Sequence, residues 1–160
     1  MVSIVDVAKY IIHNMGEITT MKLHKLCYYS QSWTLVWTDA PLFIEDFMAF
    51  ACGPVCDNLL KLHKGVFVLK DGVLGDYDAH VYSEVECKNI DFIIKYYGEK
   101  YAPYQITHLV HQESPWLEAR GNLKFGAECR NVISKESMKE YYQVYYDSAL
   151  RNSSNKIAEG

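Results

Sequence analysis

Apolar residues over the first sixteen positions recur at helical spacing. Ile4, Val7, Ala8, Ile11, Ile12 and Met15 share one face, with Asp6, Lys9 and His13 opposite. Ser3 and Asp6 stand three apart as a capping box requires, and Gly16 follows where a left-handed C-cap would end the helix. A second period runs from Thr20 to Trp37. It turns Leu23, Leu26, Cys27, Ser30, Trp33 and Trp37 inward and Lys22, Lys25 and Tyr29 outward, until Asp39-Ala40-Pro41 stops it. Phe43 to Cys52 alternates in part and is rich in phenylalanine, which predicts a short strand. Gly53-Pro54 then predicts the start of a third helix reaching His63, with proline in its first turn.

Residues 65–82 are broken by Gly65, Gly72 and Gly75 and by Asp71, Asp76 and Asp78. Val66 to Leu69 is a candidate strand partner for the 43–52 segment. Ser83 and Glu86 form a second capping box, opening a helix that buries Ile90, Ile93, Ile94 and Tyr97 and closes at Gly98. A shorter helix is expected over Tyr101 to Val110. Ser114-Pro115 caps a helical turn carrying Trp116 and Leu117, and residues 121–132 read as loop. The last helix, from Ser134 to about Leu150, aligns Met138, Tyr141, Tyr142, Tyr145, Tyr146 and Ala149. Arg151 to Gly160 is polar and expected to be a mobile tail. The sum is an α+β protein, predominantly α-helical, with about six helices and a small β element near residues 43–52 and 65–70. Residues 1–150 are expected to form one domain.

Composition narrows the function classes. A chain of 160 residues can bury a core without disulfides or metal. Its net charge of −4 and pI near 5.8 argue against nucleic acid as the main partner, since phosphate neutralisation needs a basic face. No run approaches the roughly 20 apolar residues that cross a bilayer, so no membrane partner is expected. Five cysteines, odd in number and irregularly spaced, do not make a disulfide framework. Asp6 and Lys9 interrupt the N-terminal apolar stretch, unlike a secretory signal. A cytoplasmic location with reduced thiols is the expectation.

Candidate chemistry is sparse. Cys52, Cys56 and His63, His24 with Cys27, and His108 with His111 are paper ligand sets, but none shows the two tight pairs of a structural zinc site. Cysteine–histidine pairs can be drawn in number, yet no GxSxG elbow or other constellation singles one out. There is no GxxxxGK[ST] and no GxGxxG. Gly72 to Gly75 is a turn whose neighbours Asp71 and Asp76 would repel phosphate. No catalytic residue, metal, cofactor or small-molecule substrate is therefore assigned.

Aromatic residues are the remaining signal. Trp116 suits a core or an interface anchor, and the core reading is favoured. Arg120 suits a buried carboxylate and a partner's acidic group equally. Tyrosine hydroxyls need hydrogen-bond partners when buried, so the stripe Tyr141, Tyr142, Tyr145 and Tyr146 fits a partly exposed face that a second protein covers. In the neighbouring pairs Tyr28-Tyr29 and Tyr96-Tyr97, one ring of each must point outward or to an edge.

Two segments carry a family resemblance. They are Thr20 to Trp33, with Lys22-Leu23-x-Lys25-Leu26-x-Tyr28-Tyr29, and His111 to Gly121, with His111-x-x-x-Pro115-Trp116-x-x-Ala119-Arg120. With Asp6 to Tyr10, Gly53-Pro54-Val55 and Met138 to Tyr142 they resemble the SocA-like antitoxin family, or Panacea domain, over residues 3–147. The resemblance implies a protein that neutralises a cognate protein toxin by binding it. Related members pair with toxins of unrelated types, so it does not name the toxin, and it brings no catalytic residues. Tyr29, His111, Trp116, Arg120, Tyr141, Tyr145 and Tyr146 are the toxin-binding candidates. The alternatives are an adaptor that hands the toxin to a protease, or an enzyme that reverses the toxin's modification.

Overall fold

A computed structural model describes residues 1–159, with side chains to Ser154. Helix α1 (Ile4–Met15) is followed by β1 (Ile18–Thr19), α2 (Thr20–Thr38), β2 (Phe47–Phe50), β3 (Gly53–Val55), α3 (Asp57–His63) and β4 (Val68–Leu69). Then come α4 (Glu84–Ile93), a π turn (Ile94–Gly98), α5 (Pro103–Val110), α6 (Ser114–Arg120), β5 (Val132–Ile133) and α7 (Lys135–Glu159). The architecture is α+β and mostly helical, as the sequence pattern predicts. Both expected capping boxes, Ser3 with Asp6 and Ser83 with Glu86, are formed.

Helix α2 is the axis of the fold, with α1, α4, α5 and α7 packed around it. Every residue from Leu23 to Leu35 is buried. Polar side chains inside such a helix need partners, and the backbone supplies those of Ser30, Gln31 and Ser32, while Thr34 Oγ1 has none among the described residues. Ser30 and Ser32 donate to the carbonyls of Leu26 and Tyr28 at 2.8 and 2.9 Å. Gln31 donates to the Phe43 carbonyl at 2.7 Å and accepts from the Leu42 N–H at 2.7 Å, pinning the incoming loop. This encirclement corrects two expectations. Lys25 and Tyr29 do not face outward; both are fully buried, because neighbouring elements cover the face that helical periodicity marks as polar. Lys22 is half-buried.

The strand pairing also differs from expectation. Strand β2 pairs antiparallel with β3 on one side and β5 on the other, whereas β4 pairs with β1. Val66 to Leu69 is therefore not the partner of the 43–52 segment. Gly53-Pro54 lies in β3 rather than opening a helix, and α3 begins at Asp57. Gly53 to Val55 are taken up by pairing with Phe50 to Met48. Gly53 has φ +122°, a conformation that favours glycine, and the buried Lys25 Cε lies 2.8 Å from where a Cβ would sit.

Helix α4 gives way to the π turn before Gly98, whose missing Cβ leaves room for the Met15 sulfur. Glu113, not Ser114, occupies the N-cap of α6. Met138 and Tyr142 are buried and seat α7 against α2, and Lys139 reaches Asp39 beyond the end of α2. The last helix runs on to Glu159 rather than ending near Leu150. The expected mobile tail at 151–160 falls partly outside the described residues.

Candidate functional site

Beside the C-terminal half of α2 the helices leave an open groove of about 1000 Å³. One wall is α2, through Trp33 and Trp37. The second is α4 and the π turn, through Phe92, Tyr96 and Tyr97. The third is α7, through Tyr141, Tyr145 and Tyr146, and the α5–α6 corner supplies Gln112 and Glu113. The sequence makes these walls locally. Tyrosines at positions 141, 142, 145 and 146 fall on one side of a helix, and anchoring Tyr142 in the core turns its neighbours toward the groove. Tyr145 is 60% exposed, Tyr96 49% and Phe92 40%, an unusual concentration of accessible rings.

The rings are fixed by contacts with one another. Tyr97 stacks on Tyr29 with centroids 4.1 Å apart and accepts a hydrogen bond from the Trp33 indole at 2.9 Å. Trp33 stacks on Trp37 at 5.6 Å and meets Tyr145 and Tyr146 edge-on at 6.1 Å. A π turn inserts one extra residue into the helical winding, and such insertions are frequent at functional sites. Here the insertion lies between Ile93 and Gly98 and carries both Tyr96 and Tyr97.

At the groove's inner end is a carboxyl group. Glu113 is only 7% exposed. Its Oε1 accepts the Tyr29 hydroxyl at 2.5 Å and the Tyr142 hydroxyl at 2.8 Å. Tyr142 has one proton, which the shorter bond takes, so the Tyr28 hydroxyl 3.4 Å away donates to Tyr142 in turn. Burial pushes the Glu113 carboxyl up to about 7 against the two tyrosine bonds, which lower it. Burial likewise raises Tyr29, Tyr97 and Tyr142, which stay neutral donors or acceptors.

The expected site residues separate into two places. Tyr141, Tyr145 and Tyr146 line the groove, and Tyr29 lies beneath it, bonded to Glu113. His111, Trp116 and Arg120 are absent from its lining. Trp116 and Arg120 pin α6 to the sheet instead, and His111 packs on Trp116 with its Nε2 unpartnered among the described residues. The Trp116 indole donates to the Phe50 carbonyl at 2.9 Å, in keeping with its core reading. Arg120 donates to the carbonyls of Ala49, Ala127 and Lys124 at 2.9, 2.6 and 3.3 Å. Its guanidinium lies 5.0 Å over the Trp116 ring, and His111 stacks on that ring at 4.2 Å. Arg120 is thus satisfied by backbone rather than by any carboxylate. Sequence reasoning missed Glu113, although it stands inside the His111–Gly121 segment already singled out. A carboxylate two residues before a Pro-Trp helix start was the available signal; that its side chain makes no cap bond is visible only in the structure.

The paper metal sets dissolve differently. His24 and His63 bond directly, Nε2 to Nε2 at 2.7 Å, and all five cysteines are free. Among the described residues no three His, Cys, Asp or Glu side chains gather. No helix among them is long and apolar enough to cross a membrane.

A family model, Antitoxin SocA-like, Panacea domain, matches residues 23–117, more than half of the chain. The chain belongs to the SocA-like antitoxin family. No curated protein and no solved structure matches it. An antitoxin family implies a toxin as partner in general. The matched segment of this Panacea domain runs from α2 through most of α6, so it supplies the α2 and α4 walls of the groove and Glu113. Helix α7, with the tyrosine wall, lies beyond the match.

Proposed function

We propose that this chain is an antitoxin that neutralises its cognate toxin by direct, stoichiometric binding, and that the aromatic groove receives a segment of the toxin. The observation that carries this reading is the convergence of exposed Tyr145, Tyr96 and Phe92 on a cavity of about 1000 Å³ in a chain of an antitoxin family. Large rings with few rotatable bonds give much contact area at low entropic cost, as interface hot spots do. Occupying the groove would block the toxin sterically or hold it in an inactive conformation, with no bond made or broken. Five free cysteines support a reducing, cytoplasmic setting.

Growth of cells expressing the toxin encoded beside this chain tests the reading. Co-expression of the wild type relieves toxicity; the double variant Tyr145→Ala/Phe92→Ala, altered only at exposed rings on opposite walls, does not, although it stays folded. Full protection by that variant overturns the groove as the binding site. Protection at far below one antitoxin per toxin would point to an enzyme reversing the toxin's modification. Protection that disappears in a protease-deficient host would point to delivery for proteolysis.

A further inference from the structure

We propose that Glu113 is an anchor for a single basic side chain of the toxin, inserted between the aromatic walls of the groove. The inference rests on the groove reading and specifies what the groove recognises. Glu113 is the N-cap of α6, yet its carboxylate does not cap that helix. Both tyrosine hydroxyls are spent on Oε1. Oε2 has no hydrogen-bond partner among the described residues and is not among their sealed, unpartnered atoms, so it opens toward the groove that Glu113 lines. Glu113 as a residue is only 7% exposed, so bulk water offsets little of the desolvation cost of its carboxylate, and a partner that brings a donor to Oε2 is favoured.

The surroundings define that donor. Tyr97 and Tyr142 stand beside the carboxylate, with Trp33 bonded to one and packed against the other. Aromatic faces attract cations, and a desolvated carboxylate makes its strongest hydrogen bonds to an ammonium or guanidinium. Farther out, Lys88 and Lys100 also line the cavity. They disfavour a polycationic occupant and suit acidic residues on either side of the inserted base. The occupant is therefore an apolar toxin segment with one Arg or Lys flanked by Asp or Glu. Arginine is the better fit, because its planar fork also stacks on rings.

The test is calorimetric titration of the purified toxin encoded beside this chain into the wild type and into Glu113→Gln. Glutamine keeps an acceptor for both tyrosines but removes the charge. The expected result is affinity weakened at least about tenfold, as for loss of a charge-assisted bond. Should Glu113→Gln be misfolded, carbon NMR of the Glu113 carboxyl in the wild type gives a second reading. Its titration midpoint should lie near 7 in the free protein and clearly lower in the complex. Unchanged affinity in the variant, or an unchanged midpoint in the complex, overturns the proposal. If Tyr145→Ala/Phe92→Ala abolishes binding while Glu113→Gln does not, the groove reading stands and the basic anchor falls. If neither variant weakens binding, both readings fall. Self-association of the antitoxin that Glu113→Gln abolishes, with toxin binding intact, would assign the groove to a second copy and also overturn it.

Discussion

The Tyr29 hydroxyl donates to Oε1 of Glu113 at 2.5 Å across 84 positions of sequence. The bond joins the central helix to the cap of α6 and fixes one carboxylate oxygen, leaving the other for the groove. Much of the site's chemistry follows from this arrangement.

The stability of the protein should fall as pH rises through the Glu113 titration. In the unfolded chain this carboxyl titrates near 4.5, in the folded protein near 7. Between those values the folded state holds a proton that the unfolded state has released, so raising pH favours unfolding, by roughly 3 kcal/mol in total. The groups around it are Tyr29 from α2, Tyr97 from the π turn and Tyr141 and Tyr142 from α7, with Lys88 and Lys100 elsewhere on the cavity. Glu113→Gln should therefore stabilise at pH 8 and give no gain below pH 4.5. Urea unfolding at both pH values reads this. A variant that is no more stable at pH 8 contradicts a strained carboxylate.

The His24–His63 pair should produce the opposite slope. The Cys56 N–H donates to His24 Nδ1 at 3.3 Å, so His24 carries its proton on Nε2 and gives it to His63 Nε2. Burial, then His63 and Lys25, lowers His24 to about 3, and burial lowers His63. Their contribution to stability is complete above 6.5 and is lost as pH falls from there toward 3. In the Glu113→Gln background, free of the competing slope, the urea midpoint should drop steadily between pH 6.5 and 4. A His24 ring that titrates near 6.5 by nitrogen NMR contradicts the pairing.

Helix periodicity made the elements legible but not the environment of every face. Leu23, Leu26 and Trp33 are buried as their spacing requires. Lys25 and Tyr29 are buried too, because α2 is enclosed on all sides, and enclosure is a tertiary fact that no single helix encodes. Gly53-Pro54 looks like a helix start by local rules. Pairing with β2 makes it a strand instead.

Gly53→Ala should be destabilising. It would place a Cβ 2.8 Å from Lys25 Cε and 3.3 Å from Val110 Cγ1, at a φ that alanine rarely adopts. A loss on the order of 1–3 kcal/mol is expected. A thermal scan that finds the variant unchanged would show that β3 tolerates a side chain there.

Arg120→Ala should cost stability without changing toxin affinity per folded molecule. It leaves the carbonyls of Ala49 and Ala127 without their guanidinium donor, a loss of about 1–3 kcal/mol. Denaturation together with calorimetry separates the two effects. Weakened binding by a fully stable variant would return Arg120 to the interface.

The candidate site was half legible. Tyr141, Tyr145 and Tyr146 were marked by helical spacing and do share one wall. Trp116 and Arg120 carried equally conspicuous chemistry, but Arg120 spends its donors on backbone carbonyls, which sequence cannot display. Phe92, Tyr96 and Tyr97 escaped notice as a set because a π turn, invisible to a 3.6-residue period, carries the last two.

The most direct test of the account is hydroxyl-radical footprinting of the antitoxin alone and saturated with its toxin, since it reports side-chain exposure ring by ring. Binding in the groove predicts strong protection of Tyr145, Tyr96 and Phe92, with Phe67 and Phe125, both about four-fifths exposed, oxidised as before. Protection confined to Phe67 or Phe125, with Tyr145 still reactive in the saturated complex, would contradict it.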